Sequence, residues 1–177
     1  YQYFRLKSGT SLPQVLPDLS TLANSVFISG EGFNTVQFAP NGTLGMIFWN
    51  GRNLTFRERS GSGWREEVVS SNGKLFQANI TRHDYKFQPA ALFLYDSNSQ
   101  PHIFCAAGGK GISHFVRSGS GWFASEQIEN TAANAAVDLL VGALGPDNQF
   151  HLAVISAGTS PNLTYGSNRN GQWSWNH

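Results

Sequence analysis

Three tryptophans stand at matched places in the sequence, and each offers a flat surface on which a ligand ring can stack. The hexapeptide RSGSGW at residues 59–64 recurs unchanged at 117–122 and returns in altered form as NRNGQW at 168–173. An indole plane packs against the CH-rich face of a sugar ring while nearby polar groups bind the hydroxyls. The alternative is that each Trp anchors an outer strand against a neighbouring unit. Both roles remain open for Trp64, Trp122 and Trp173.

Histidine and arginine side chains add candidate polar contacts. His102 and His151 occupy matched positions, where they can line a pocket or hydrogen-bond a neighbouring turn. The planar guanidinium of Arg57, Arg59 or Arg117 can grip vicinal hydroxyls or a carboxylate. The simpler interpretation is that these arginines are solvated hairpin residues paired with Glu58 or Glu66.

Four Asn-x-Thr sequons begin at Asn41, Asn53, Asn79 and Asn162, more than composition alone would give. They predict a glycosylated, secreted protein, and the alternative is that these asparagines serve turns. The chain begins at Tyr1 with no initiator Met or leader, so we expect a processed or excised segment.

The composition excludes several classes of protein. Charged residues make up only 13% of the chain and the net charge is +1, so no basic stripe is available to neutralise nucleic acid. No apolar run approaches the ~20 residues of a membrane span. Cys105 is the single cysteine, which we expect to be buried, and the five histidines show no ligand spacing. We therefore expect no metal, no cofactor and no catalytic centre.

The matched Trp segments belong to a longer repeat. Each unit of about 50 residues contains four apolar or aromatic runs separated by Asn, Asp or Gly turns, the pattern of an antiparallel sheet. Such a sheet cannot bury both faces alone, so copies must stack, and radial stacking gives a β-propeller. The sequence predicts an all-β protein with about three and a half blades, in one partial domain over 1–177. A half blade with an irregular insertion is expected at 1–32, and full blades at roughly 33–73, 87–130 and 135–177.

The repeat resembles the blades of sialidase-like and lectin-type β-propellers. The resemblance is carried by Asp-Ser-Asn-Ser-Gln-Pro-His-Ile-Phe at 96–104 and by Asp-Asn-Gln-Phe-His-Leu at 147–152. Fucose-binding lectins of this shape use an Arg, a Glu and a Trp or Tyr in each pocket between blades. The resemblance implies that Arg57, Glu66 or Glu67, and Trp64 supply these types here. The Asp-box and arginine triad of sialidases are not recognisable in this sequence.

The sequence therefore predicts an extracellular, non-catalytic protein that recognises glycans or glycoproteins in pockets between blades. A structural ectodomain that offers a rigid surface to a protein partner is the alternative, and a glycan-processing hydrolase is the weaker one. Because three and a half blades cannot close a ring, we expect either the rest of a larger chain or a second copy to complete it.

Overall fold

The computed structural model describes residues 35–49, 52–71, 91–106, 111–119, 121–128, 137–156, 162–169 and 171–176. The chain divides into two compact units, Tyr1–Gly30 and Glu31–His177, and every described residue lies in the second. The half blade expected at 1–32 thus lies outside the described residues. The described ranges contain no helix, and so no helix there is long and apolar enough to span a membrane.

The described residues form three four-stranded antiparallel sheets, as the repeat predicts. In each sheet the strands follow one another in chain order. The first sheet consists of β1 (Thr35–Phe38), β2 (Leu44–Trp49), β3 (Leu54–Ser60) and β4 (Gly63–Ser70). The second consists of β5 (Ala91–Tyr95), β6 (Pro101–Ala106), β7 (Ile112–Ser118) and β8 (Gly121–Ile128). The third consists of β9 (Val137–Leu144), β10 (Phe150–Ser156), β11 (Leu163–Arg169) and β12 (Gln172–Asn176).

Matched turns join the first two strands of every sheet. Gly42, Ser99 and Asn148 occupy the same turn position and have φ values of 84°, 64° and 60°. Each donates its N–H to the carbonyl three residues earlier, at 2.8, 3.0 and 3.0 Å. Residues that tolerate a left-handed backbone are needed at this position, which explains the Gly and Asn signals in the sequence.

The hairpin that closes each sheet is also repeated. Trp64, Trp122 and Trp173 each stand opposite the residue five positions earlier, on β3, β7 and β11 respectively. Because side chains alternate between the faces of a strand, this register puts all three indoles on the same face of their sheets. The three tryptophans therefore occupy structurally equivalent positions in the three sheets.

The sheets pack side by side, and a separate apolar cluster lies at each of the two junctions. The first cluster joins the first and second sheets around Phe56 and Phe93, with Trp122 packed at its edge. The second cluster joins the second and third sheets around Phe104 and Leu152. A four-stranded sheet with two apolar faces can bury both of them only if other elements stack against it in this way.

Candidate functional site

Polar side chains converge where the first sheet meets the second. We call this place the first cleft and define it by Glu58, Glu67, Tyr95, Arg117 and Trp122. Glu58 lies two residues beyond Phe56 on β3, and Glu67 stands opposite Phe56 across β3 and β4. Both carboxylates therefore share the face of the first sheet that packs on the second. Arg117 and Trp122 reach them from β7 and β8.

An ion pair between sheets forms the centre of the first cleft. Arg117 Nη1 lies 2.8 Å from Glu58 Oε2, and Nη2 lies 3.4 Å from Oε1. The guanidinium also lies 5.4 Å above the ring of Phe56. The side chains of Glu58 and Arg117 are 14% and 21% exposed, so the pair is shielded from most of the solvent without being fully buried.

Glu67 supplies a second carboxylate next to this pair. Its Oε2 accepts a 2.8 Å hydrogen bond from the indole N–H of Trp122. Its Oε1 lies 2.6 Å from Arg65 Nε and 4.0 Å from Arg117 Nη1, but it is buried and receives no hydrogen bond of regular geometry. The Glu67 carboxylate is thus held by Arg65 on one oxygen and by Trp122 on the other.

Tyr95 completes the inner wall of the first cleft. Its hydroxyl donates to Glu58 Oε1 at 3.5 Å. Burial, and then the adjacent Glu58 carboxylate, raise the pKa of the Tyr95 phenol well above its ordinary value, so the hydroxyl remains a donor. Gly45 makes room for it, because a Cβ there would lie 3.0 Å from Phe93 Cζ and closer still to the Tyr95 hydroxyl.

The residues that the resemblance implies, Arg57, Glu66 and Trp64, lie together on the opposite face of the first sheet. Arg57 and Glu66 stand directly across β3 and β4, and Arg57 Nε lies 3.0 Å from Glu66 Oε2. Arg57 also lies 5.5 Å above the ring of Phe48, and Arg59 lies 5.7 Å above that of Trp64. Of the two adjacent glutamates that the sequence left open, Glu66 pairs here and Glu67 faces the first cleft.

A different set of groups lies where the second sheet meets the third, which we call the second cleft. His102 Nδ1 lies 2.9 Å from His114 Nε2, and Ser125 Oγ lies 3.1 Å from His114 Nδ1. Burial, followed by the neighbouring His114, lowers the pKa of His102 to about 4, although Asp96 acts in the opposite direction. His102 Nε2 stays 3.8 Å from Asp96 Oδ2. The His102 ring is thus neutral near pH 7.

Trp173 packs edge-on against Phe104 in the second cluster, with ring centroids 5.9 Å apart. Trp122 likewise lies edge-on to Phe56 at 5.2 Å. These contacts are of the kind that an anchoring role for Trp122 and Trp173 requires. The Trp122 indole remains half-buried at the first cleft.

The second matched histidine lies on the outer face of the third sheet. His151 Nδ1 lies 2.5 Å from the Tyr165 hydroxyl, and its Nε2 lies 3.6 Å from Asp147 Oδ1 in the preceding turn. His151 is 31% exposed, so water screens this contact.

Three of the four sequons lie in the described residues. Asn41 and Asn162 are exposed, whereas Asn53 is half-buried. Asn41 Oδ1 accepts a 2.9 Å hydrogen bond from the N–H of Thr43. This contact stabilises a turn, which is the role that the sequence offered for Asn41 as the alternative to glycosylation. Asn79 lies outside the described residues.

The part of the chain that the structure describes shows no metal-binding site. No group of three or more His, Cys, Asp or Glu side chains converges there to hold a metal ion. Cys105 is fully buried, and burial raises the pKa of its thiol.

Solved structures that are similar to this chain include two lectins and a trans-sialidase. A lectin from Aleuria aurantia, in complex with Fucα1-6GlcNAc, matches 84% of this chain and 48% of its own, at 13% identity and a TM-score of 0.53. A fucose lectin from Kordia zhangzhouensis, in complex with methyl-fucoside, matches 81% of this chain and 97% of its own, at 14% identity and a TM-score of 0.47. The intramolecular trans-sialidase from Ruminococcus gnavus, in complex with oseltamivir carboxylate, matches 79% and 31%, at 12% identity and a TM-score of 0.48.

These similarities concern the fold. The chain spans about half the length of the Aleuria lectin, the one of the three whose TM-score exceeds 0.5, and shares with it a lectin-like all-β fold. No protein-family model matches the sequence, and no curated protein matches it.

Proposed function

We propose that this chain is a non-catalytic carbohydrate-recognition protein and that the first cleft binds the sugar. The observation that carries the proposal is the convergence of an Arg117–Glu58 ion pair, a second carboxylate on Glu67 and the Trp122 indole from two different sheets. Hydrogen-bond donors and acceptors can bind the hydroxyls of a sugar ring, and an aromatic surface can pack against its CH groups.

The chemistry of the pair matches a sugar with neighbouring hydroxyls. Each hydroxyl can both donate and accept, whereas a guanidinium only donates and a carboxylate only accepts. Two adjacent hydroxyls can accept from Arg117 and donate to Glu58 and Glu67, so all polar groups are satisfied together. Hydrogen bonds to charged groups are the stronger kind, and shielding from water strengthens them further.

The half-buried indole of Trp122 provides the apolar part of this site. One edge of the ring packs on Phe56, and its N–H holds Glu67, which fixes both groups before a ligand arrives. Fixed side chains lose little conformational entropy on binding, and such preorganisation favours affinity.

The proposal places the three sheets as blades of a β-propeller that is part of a larger ring, in a single domain with the boundaries given above. The side-by-side packing of matched four-stranded sheets and the similarity to the Aleuria lectin support this arrangement. We propose further that the protein is extracellular and carries glycans at exposed sequons such as Asn41 and Asn162.

A glycan array on this chain, followed by matched variants, tests the proposal. Arg117→Ala and Glu67→Gln should each weaken binding of the best glycan at least about tenfold, since each removes a charged hydrogen-bonding group. Arg57→Ala and Glu66→Gln, which alter the ion pair on the opposite face, should leave the affinity within about twofold. Binding lost in the second pair and kept in the first would move the site to the Arg57 face, and no binding to any glycan would remove the proposal.

A further inference from the structure

The first cleft holds more shielded negative charge than positive charge. The side chains of Glu58 and Glu67 are 14% and 12% exposed, and that of Arg117 is 21% exposed. Arg65, which pairs with Glu67, is 53% exposed, so water screens its charge. Among the described groups of the cleft that are shielded from solvent, two carboxylates therefore stand beside one guanidinium.

This guanidinium is already engaged by one of the carboxylates. Arg117 Nη1 and Nη2 lie 2.8 and 3.4 Å from the two oxygens of Glu58. A sugar hydroxyl can accept from a further N–H of the guanidinium and donate its own hydrogen to a carboxylate. A carboxylate or sulfate on a ligand has no hydrogen to donate, so it competes with Glu58 for Arg117 and is repelled by both glutamates.

The Tyr95 phenol reports the sign of the potential at the inner wall of the cleft. Burial, and then the Glu58 carboxylate, raise the pKa of this phenol, and Arg117 lowers it by less than Glu58 raises it. The effect of the carboxylate thus exceeds that of the guanidinium at the phenol oxygen. A negative charge on a ligand at this wall is disfavoured for the same reason.

The repeat itself does not require these charges. Val116 occupies on β7 the position that Glu58 occupies on β3, since each precedes the hairpin Trp of its sheet by the same number of residues. Asn168 occupies on β11 the position of Arg117 on β7, because both pair with the hairpin Trp. The second cleft therefore has uncharged residues at the places where the first cleft has its ion pair, although both junctions bury an apolar cluster.

We propose that the first cleft selects neutral sugars over acidic ones, and that Glu58 and Glu67 exclude sugars that carry a carboxylate or sulfate group. This inference rests on the sugar binding proposed above and names the class of sugar. Like charges brought together in a shielded place repel strongly, and this cost falls on the acidic ligand alone. The neutral sugar can instead donate to both glutamates.

Three glycosides that differ only at C6 test the selection. A galactoside carries a neutral CH2OH group there, a galacturonide carries a carboxylate, and a 6-amino-6-deoxygalactoside carries an ammonium group. The carboxylate form should bind at least about tenfold more weakly than the neutral form, whereas the ammonium form should bind within about twofold of it or more tightly. Equal losses for both charged forms would show that shape and not charge excludes them, and would overturn the proposal.

The same comparison extends to other sugars. The corresponding glucose series is measured alongside, and each further neutral glycan that binds on the array is compared with its monosulfated form. Acidic forms that bind as tightly as the neutral ones would overturn the selection and leave sugar binding in place. If no member of any pair bound, the proposed function and this inference would fail together.

A pair of variants assigns the exclusion to the first cleft. Glu67→Gln keeps an oxygen that can accept from the Trp122 N–H, and it should raise the affinity for the acidic form relative to the neutral form at least about fivefold. Glu66→Gln is the matched control, because it removes the same charge from the adjacent residue, which lies on the opposite face of the sheet. It should leave this ratio unchanged, and equal effects of the two variants would overturn the assignment to the cleft.

Discussion

Arg117 on β7 and Glu58 on β3 form an ion pair that joins two sheets, with Nη1 2.8 Å from Oε2. The pair lies above the rim of the first apolar cluster and is only 14–21% exposed. We therefore expect the pair to stabilise the junction between the sheets, and we propose that it also takes part in binding the sugar.

Removal of the arginine should destabilise the fold. Arg117→Ala leaves the Glu58 carboxylate largely buried without its partner, and we expect a loss of roughly 1–3 kcal/mol in the free energy of unfolding. Arg57→Ala breaks the matched pair on the opposite face, where Glu66 is 44% exposed, and should cost under about 1 kcal/mol. Urea denaturation of both variants measures this difference, and equal losses would contradict a structural role for the pair between sheets.

The buried histidine pair predicts that the protein loses stability in acid. The pKa of His102 is about 4 in the folded chain, below its ordinary value of 6.5, so the unfolded chain binds more protons between these values. Stability is therefore present above about pH 6.5, decreases by roughly 1–3 kcal/mol as the pH falls to 4, and levels off below. Urea midpoints at several pH values measure the decrease.

His102→Gln should flatten this pH dependence, whereas the more exposed His151→Gln should leave it as in the parent chain. If His102→Gln retained the full slope between pH 6.5 and 4, another group would be responsible. NMR titration of the His102 ring gives an independent reading of its pKa.

A glycine of the third sheet is required by the ring opposite it. Gly166 pairs with Trp175 across β11 and β12, and a Cβ on Gly166 would lie 2.5 Å from Trp175 Cζ3. Gly166→Ala should therefore lower the melting temperature and destabilise the fold by about 1–3 kcal/mol. Gly121→Ala is the control, because its Cβ would meet nothing within 4 Å and should not destabilise. A neutral Gly166→Ala would mean that Trp175 packs elsewhere.

The single cysteine should report on unfolding of the first junction. Cys105 is 0% exposed in the cluster that joins the first two sheets, and burial raises the pKa of its thiol. Its reaction with a thiol reagent should be slower in the native protein than in urea by on the order of a thousandfold. The exposed variant Ser62→Cys, in a Cys105→Ala background, should react equally fast in both, and a fast native reaction of Cys105 would contradict this packing.

The strands and turns could be predicted because their signals are local. Alternating apolar residues and the left-handed positions at Gly42, Ser99 and Asn148 identify the hairpins, and the repeated Trp fixes the period. Which side of a sheet a polar residue occupies depends on register, which one residue of slip reverses. Glu66 and Glu67 could not be separated for this reason until the pairing of Phe56 with Glu67 was known.

The contacts between sheets were beyond the reach of the sequence. Arg117 was recognisable as a hairpin arginine, but its partner Glu58 lies 59 residues earlier on another sheet. Tyr95 showed only a strand signal, since its contact with Glu58 depends on the space above Gly45. Ligand binding by the other residues that the sequence nominated is untested, and it is the alternative to binding in the first cleft. These residues are Arg57, Trp64, Glu66, His102, His151 and Trp173.

The indole N–H resonances of the five tryptophans test the central claim most directly, because the Trp122 N–H donates to Glu67 inside the first cleft. On addition of the glycan selected by the array, the Trp122 resonance should shift and saturate with the measured affinity, while that of Trp64 stays in place. A saturating shift of Trp64 with Trp122 unmoved would show that the sugar binds on the opposite face of the first sheet and contradict the site proposed here.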